Sequence, residues 1–141
     1  FTGLRQTAGT DDEVVTHLTI KLHQHGGVYV KLMRYAGEDL AQAAVGIVAY
    51  PDNEYRVAFG AVAPTPIRSA VIEEMLRGKP LDDDLVAAVV AMVPDEISPI
   101  TDMRSTAEYR THMTGVMLKR GLWAARQRLD GTGPAYGVRL I

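Results

Sequence analysis

Alternation of apolar and polar residues with period two runs from about Val14 to Val62 and then gives way to capped helical segments, an order that few folds satisfy. Val14, Thr16, Leu18, Ile20 and Leu22 fall on one side of an extended strand, with Val15, His17, Thr19 and Lys21 on the other. The spacing predicts a half-buried strand. Gly26-Gly27 supplies backbone freedom for a reversal, and Val28 to Arg34 reads as a second strand, antiparallel to the first. Gly37 interrupts before Ala41 to Tyr50, which is apolar on both faces and reads as a central strand. Pro51-Asp52-Asn53 turns the chain, and Tyr55 to Val62 returns.

The pattern changes at Pro64-Thr65-Pro66. Thr65 is placed to cap a helix with Pro66 at its first position, and Gly78 and Pro80 end it. A second helix is expected from Asp82 to Val93, opened by three aspartates that suit the positive end of its dipole and closed before Pro94. Ser105 and Glu108 form a capping-box pattern ahead of the longest helix, which should reach about Leu129 before Gly131 stops it. Strands first and helices second predict an α+β fold, an antiparallel sheet of three or four strands followed by three helices packed on one face.

At 141 residues, 47% of them hydrophobic, the chain is long enough for one domain with a real core. Residues 13–130 are expected to form it, 1–12 to be the end of, or a linker from, a preceding domain, and 131–141 to be a tail that orders against a partner. Interleaved charges with a net of -2 give no field to recruit a phosphate backbone or an anionic membrane. With no cysteine, this chain holds no disulfide, thiolate nucleophile or cysteine-ligated cluster. No apolar run approaches a bilayer span and the start lacks a signal layout, so a cytoplasmic location is expected.

Few residues suggest chemistry of their own. His23 and His25 share a side of an extended segment near His17, but no carboxylate is arranged to complete a metal site, and solvating the Gly26-Gly27 turn is the plainer role. Asp82-Asp83-Asp84 fan out around a helix start, which fits dipole compensation better than cation binding. Glu73-Glu74 and Asp95-Glu96 point apart on helices and read as solvated faces. Ser69, Ser98 and Ser105 lack a nucleophile-elbow context, and Gly60 lacks the motif of a phosphate-binding turn. No catalytic or metal-ligating residue is assigned, and the chain is not expected to be active alone.

Four phrases, in order, carry a family resemblance. The first is Phe1-Thr2-Gly3-Leu4-Arg5-Gln6-Thr7-Ala8, continuing into Asp12-Glu13-Val14-Val15-Thr16. Tyr29-Val30-Lys31-Leu32-Met33-Arg34 leads into Glu38-Asp39-Leu40-Ala41. Gly60-Ala61-Val62-Ala63-Pro64-Thr65-Pro66-Ile67-Arg68 and Thr101-Asp102-Met103-Arg104-Ser105-Thr106-Ala107-Glu108-Tyr109-Arg110 complete the set. The chain thereby resembles the C-terminal domain of the FAD-binding medium subunit of molybdenum hydroxylases, the carbon monoxide dehydrogenase and xanthine dehydrogenase superfamily. Ser105 departs from the glycine usual in relatives.

The resemblance implies an oxidoreductase component that completes a flavin site and docks to other subunits. Electrons then pass from a molybdenum cofactor through 2Fe-2S clusters on partner chains to FAD and an external acceptor. It also implies a flavin-binding domain or chain before Phe1, an iron–sulfur small subunit and a molybdenum-cofactor large subunit as partners. Lys31, Val15 and Asp39 match cofactor-contacting positions of relatives. Val15 is the apolar member of a face otherwise made of His17, Thr19 and Lys21, and Lys31 shares a face with Tyr29 and Met33. Snorkelling from a sheet edge is the ordinary alternative for Lys31, and fixing a turn for Asp39. The glycine segments that bind the FAD diphosphate are absent here, so tight FAD binding by this chain alone is not expected. A non-catalytic interaction module derived from such a subunit is the competing reading.

Overall fold

The computed structural model describes residues 1–35 and 39–141, so Gly37 and Glu38, noted above, lie outside the described residues. Its sheet is an antiparallel meander of β1 (Gly26–Leu32), β2 (Ala43–Tyr50), β3 (Glu54–Gly60) and β4 (Ile67–Arg68), in that spatial order. Helices α1 (Ala70–Leu76), α2 (Asp83–Ala91), the single turn α3 (Val93–Glu96) and α4 (Ala107–Leu129) follow among the described residues. The α+β architecture expected from the order of patterns is the one observed.

Alternation decides which sheet face is covered. Val28 and Val30 of β1, Val45 and Ile47 of β2, and Val57 and Phe59 of β3 are buried on one side. Against β1 and β2 lies α4, whose Met117, Leu118, Leu122 and Ala125 are fully buried; each large apolar side chain so enclosed contributes about 1.5–3 kcal/mol. The approach is close. A Cβ added at Gly121 would come 2.6 Å from Ile47 Cδ1, and one at Gly26 would overlap the Ala125 carbonyl oxygen of α4.

Local signals were displaced where tertiary pairing competed with them. The first helix is capped by Ser69, whose hydroxyl accepts from the Ile72 amide at 3.2 Å, and not by Thr65, because β4 holds Ile67 and Arg68 extended against Phe59 and Ala58. Asp82 caps α2 by accepting from Leu85 N at 2.7 Å. The last helix is capped by Thr106 instead of Ser105, and the Ser105–Glu108 box does not form.

Two expectations fail. Val14–Leu22 joins no strand of the sheet, which starts only at Gly26. The carbonyl of Gly27, needed for pairing on the outer side of β1, is already taken by Arg128 at 2.7 Å. The tail, expected to order only against a partner, instead folds back within this chain. Arg128 donates to the carbonyls of Pro134 and Ala135 at 2.9 and 3.0 Å, Arg120 donates to that of Leu140 at 2.8 Å, and Leu140 and Ile141 pack on the core.

Candidate functional site

The sheet face turned away from the helices is built by register. Tyr29, Gly46, Ala58 and Arg68 lie side by side across the four strands, and Lys31, Ala44 and Gly60 form the next row. Glycine and alanine in the middle strands leave a low floor, and no atom of the described residues lies within 4 Å of a Cβ added at Gly46. Tyr29 and Arg68 stand at its two sides.

An open cleft of about 1,090 Å³ lies over this floor and reaches the C-terminal tail, where Tyr136 and Leu140 join its lining. Among the described residues its lining contains Lys31, Arg56, Arg68 and Arg139 but no aspartate or glutamate. Such a surface favours an anionic or electron-rich, partly aromatic ligand. Two of its cations are held from behind. Glu73, buried at 4% exposure, accepts from Arg68 Nε at 2.7 Å, from its NH2 at 2.6 Å and from the Val57 amide at 3.0 Å. Burial pushes the Glu73 carboxyl up, but the Arg68 and Val57 hydrogen bonds and the charges of Arg68 and Arg56 together bring it below its ordinary value. Glu73 is therefore an anchoring group and not the solvated one expected; Glu74 beside it is exposed and pairs with Arg77.

The three sequence-derived positions fall in different places. Lys31 lines the cleft and forms no ion pair among the described residues. Asp39 is absent from the lining. Its carboxylate accepts from the amides of Arg34, Tyr35 and Leu40 at 2.7, 3.1 and 2.8 Å, and these backbone bonds, led by that from Tyr35, lower its pKa. Val15 is 80% exposed in the unpaired segment before β1. The structure thus brings Lys31 together with Tyr29 and Met33, and leaves Val15 and Asp39 outside that group.

Next to the loop around Asp39, a buried guanidinium ties two segments together. Arg110 of α4, 3% exposed, donates to the Gln42 carbonyl at 2.7 Å and to Asp102 at 2.6 Å. Sequence reading missed the roles of Arg110 and Arg68 because periodicity does not show which side chains tertiary packing buries against them, Glu73 for Arg68 and the Gln42 carbonyl and Asp102 for Arg110. At the opposite end His23 and His25 lie edgewise or tilted against Tyr50, with ring centroids 6.4 and 6.5 Å away. Among the described residues no group of three potential ligands could hold a metal ion, and no helix is long and apolar enough to cross a membrane.

Comparison with known proteins places this arrangement. Residues 28–125 match the family described as CO dehydrogenase flavoprotein C-terminal domain. The chain is 33% identical over 122 residues to the glyceraldehyde dehydrogenase medium chain of Sulfolobus acidocaldarius, covering 83% of this chain and 43% of that one. It is 31% identical over 133 residues to the carbon monoxide dehydrogenase medium chain of Afipia carboxidovorans, covering 91% and 46%. The chain thus spans less than half the length of these relatives. Reconstituted CO dehydrogenase from Oligotropha carboxidovorans has a chain that superposes with a TM-score of 0.70 at 34% identity, covering 77% of this chain and 39% of that one. Quinoline 2-oxidoreductase from Pseudomonas putida 86, at 18% identity and a TM-score of 0.65, shares the fold. The chain belongs to the family of CO dehydrogenase flavoprotein C-terminal domains.

Proposed function

We propose that this chain is the part of a molybdenum hydroxylase-type medium subunit that completes the wall of an FAD site, with Lys31 facing the flavin. The observation that carries the reading is the cleft over the open sheet face, where Lys31, Tyr29 and Arg68 converge and no carboxylate of the described residues joins the lining. Those residues fit an electron-rich ring or a diphosphate. FAD, when bound in the complete subunit, accepts electrons from iron–sulfur clusters and passes them to an external acceptor.

In this reading Lys31 supplies positive charge at the cofactor. Asp39 acts through the backbone it holds, fixing Arg34, Tyr35 and Leu40, and Val15 approaches from the preceding segment. The partners are the flavin-binding domain or chain before Phe1, the iron–sulfur small subunit and the molybdenum-cofactor large subunit, and the assembly is cytoplasmic. In the assembled enzyme Lys31→Ala should weaken FAD retention or slow flavin reoxidation by about tenfold, roughly 1.4 kcal/mol. Reduction of the molybdenum centre by substrate should stay unchanged. Full FAD occupancy with normal turnover in the variant would leave the chain as an interaction module and Lys31 as a surface lysine.

A further inference from the structure

The basic side chains that line the cleft are of two kinds. Arg56 pairs with Glu54 at 3.2 Å, Arg68 pairs with Glu73 at 2.6 Å, and Arg128 donates to the carbonyls of Gly27, Pro134 and Ala135. Those three are committed within the chain. Lys31 on β1 and Arg139 in the tail line the same cleft, and among the described residues neither forms an ion pair or a side-chain hydrogen bond. Two uncommitted charges of one sign in one cleft focus its field and draw an anion into it.

The backbone that carries Arg139 is nevertheless fixed on both sides. Before it, the Val138 amide donates to the Ala135 carbonyl at 3.2 Å across a turn in which Gly137 takes a φ of +89°. Arg128 holds the two carbonyls just ahead of that turn. After it, the Leu140 carbonyl accepts from Arg120 of α4 at 2.8 Å, and Leu140 and Ile141 pack on the core. A held main chain therefore presents an exposed, unpaired guanidinium to the cleft. Tyr29 and Tyr136, 69 and 73% exposed, line it too, so a ligand there meets aromatic surface as well as positive charge.

We propose that the tail joins β1 in the wall that this chain gives the cofactor site, with Arg139 as a second cation for the ligand that Lys31 meets. The proposal rests on the function argued above and extends its site to the tail. The planar fork of a guanidinium suits a pair of phosphate oxygens, whereas an ammonium acts as a point charge. That difference assigns Arg139 to the diphosphate of the cofactor and leaves Lys31 to the electron-rich ring.

The test measures FAD release from the assembled enzyme, by the fluorescence of the freed cofactor, and the NMR signals of the arginine side chains when the chain alone is titrated with inorganic pyrophosphate. Arg139→Ala should speed FAD release about tenfold, and Arg139→Lys, which keeps the charge without the fork, should recover part of that loss. The Arg139 Nε signal should move with pyrophosphate, while that of Arg128 stays in place. Both Arg139 variants should melt at the parent temperature, because the side chain has no bond among the described residues to lose. Release at the parent rate in Arg139→Ala, with faster release in Lys31→Ala, overturns the role of the tail alone. Parent release in both variants, with the Arg139 signal still moved by pyrophosphate, rejects the flavin reading alone. An Arg139 signal that pyrophosphate leaves unmoved, or faster release accompanied by a lower melting temperature, also overturns the proposal.

Discussion

Arg68 on β4 and Glu73 on α1 are joined by two parallel hydrogen bonds of 2.7 and 2.6 Å, so a five-residue separation in sequence closes the corner between sheet and helix. The same carboxylate accepts from the Val57 amide of β3, so the corner is locked from three directions. Glu73→Ala should cost about 2–3 kcal/mol, because it leaves the Val57 amide without its acceptor, while Glu73→Gln should cost less. Since the folded pKa of Glu73 lies below the ordinary value of 4.5, its contribution is fully present above that value and is lost as pH falls through the folded pKa. Thermal or urea unfolding followed downward from pH 5 should show a smaller loss in Glu73→Gln than in the parent. Equal pH slopes would mean that Glu73 titrates normally.

Gly26 and Gly121 make contrasting predictions about the contact between α4 and the sheet. At Gly26 an added methyl meets the Ala125 carbonyl and lies 2.5 Å from the Leu129 amide nitrogen, all backbone, so Gly26→Ala should destabilise by about 3 kcal/mol. At Gly121 the obstacle is the end of the Ile47 side chain. Gly121→Ala should therefore cost about 1–2 kcal/mol and be relieved by Ile47→Val, whereas no single neighbour relieves Gly26→Ala. Urea midpoints of the single and double variants measure both.

Arg128 holds three carbonyls, those of Gly27, Pro134 and Ala135, and its guanidinium lies 4.4 Å from the centre of the Tyr136 ring. Arg128→Ala should free the tail, so that limited proteolysis cuts after about residue 130 while the rest of the chain survives, with a stability loss of about 1–3 kcal/mol. An unchanged cleavage pattern would mean that Leu140 and Ile141 suffice to hold the tail.

The purified chain should be colourless and show no stoichiometric binding when titrated with FAD. On the proposed function it supplies only one wall of the flavin site, and its sequence has no Gly-x-Gly-x-x-Gly turn to grip a diphosphate. Tight binding by the chain alone, followed by visible absorption, would relocate the cofactor site onto this domain.

Much of the fold was legible because alternation and capping are local properties. Lys31 and Tyr29 share a face by spacing alone, and α4 ends at Leu129, ahead of Gly131, whose φ is +76°. Other features depend on register between strands, which sequence spacing does not reveal. Arg68 stands beside Ala58, and in line with Gly46, only because of how two strand pairings close, so the floor of the cleft was invisible. The last cap was misplaced by one residue because Ser105 and Thr106 both carry the needed hydroxyl, and the Thr106 oxygen is the one that reaches Tyr109 N, at 3.2 Å. Alternation from Val14 to Leu22 suggested a half-buried strand, but periodicity carries no information about a pairing partner, and these residues are exposed and join no strand of the sheet.

Because the strands pair in the order in which they occur along the chain, every rung of the sheet can form between neighbours as they leave the ribosome. The element that covers β1 and β2 is the last one made. Until α4 emerges, some sixty residues after β2 ends, Val28, Val45 and Ile47 face water, and the nascent meander is at its most prone to associate with other chains. Docking of α4 is then a contact of long sequence separation, and variants that crowd its landing place at Gly26 should lower the yield of soluble protein in the cell more than their equilibrium stability alone accounts for.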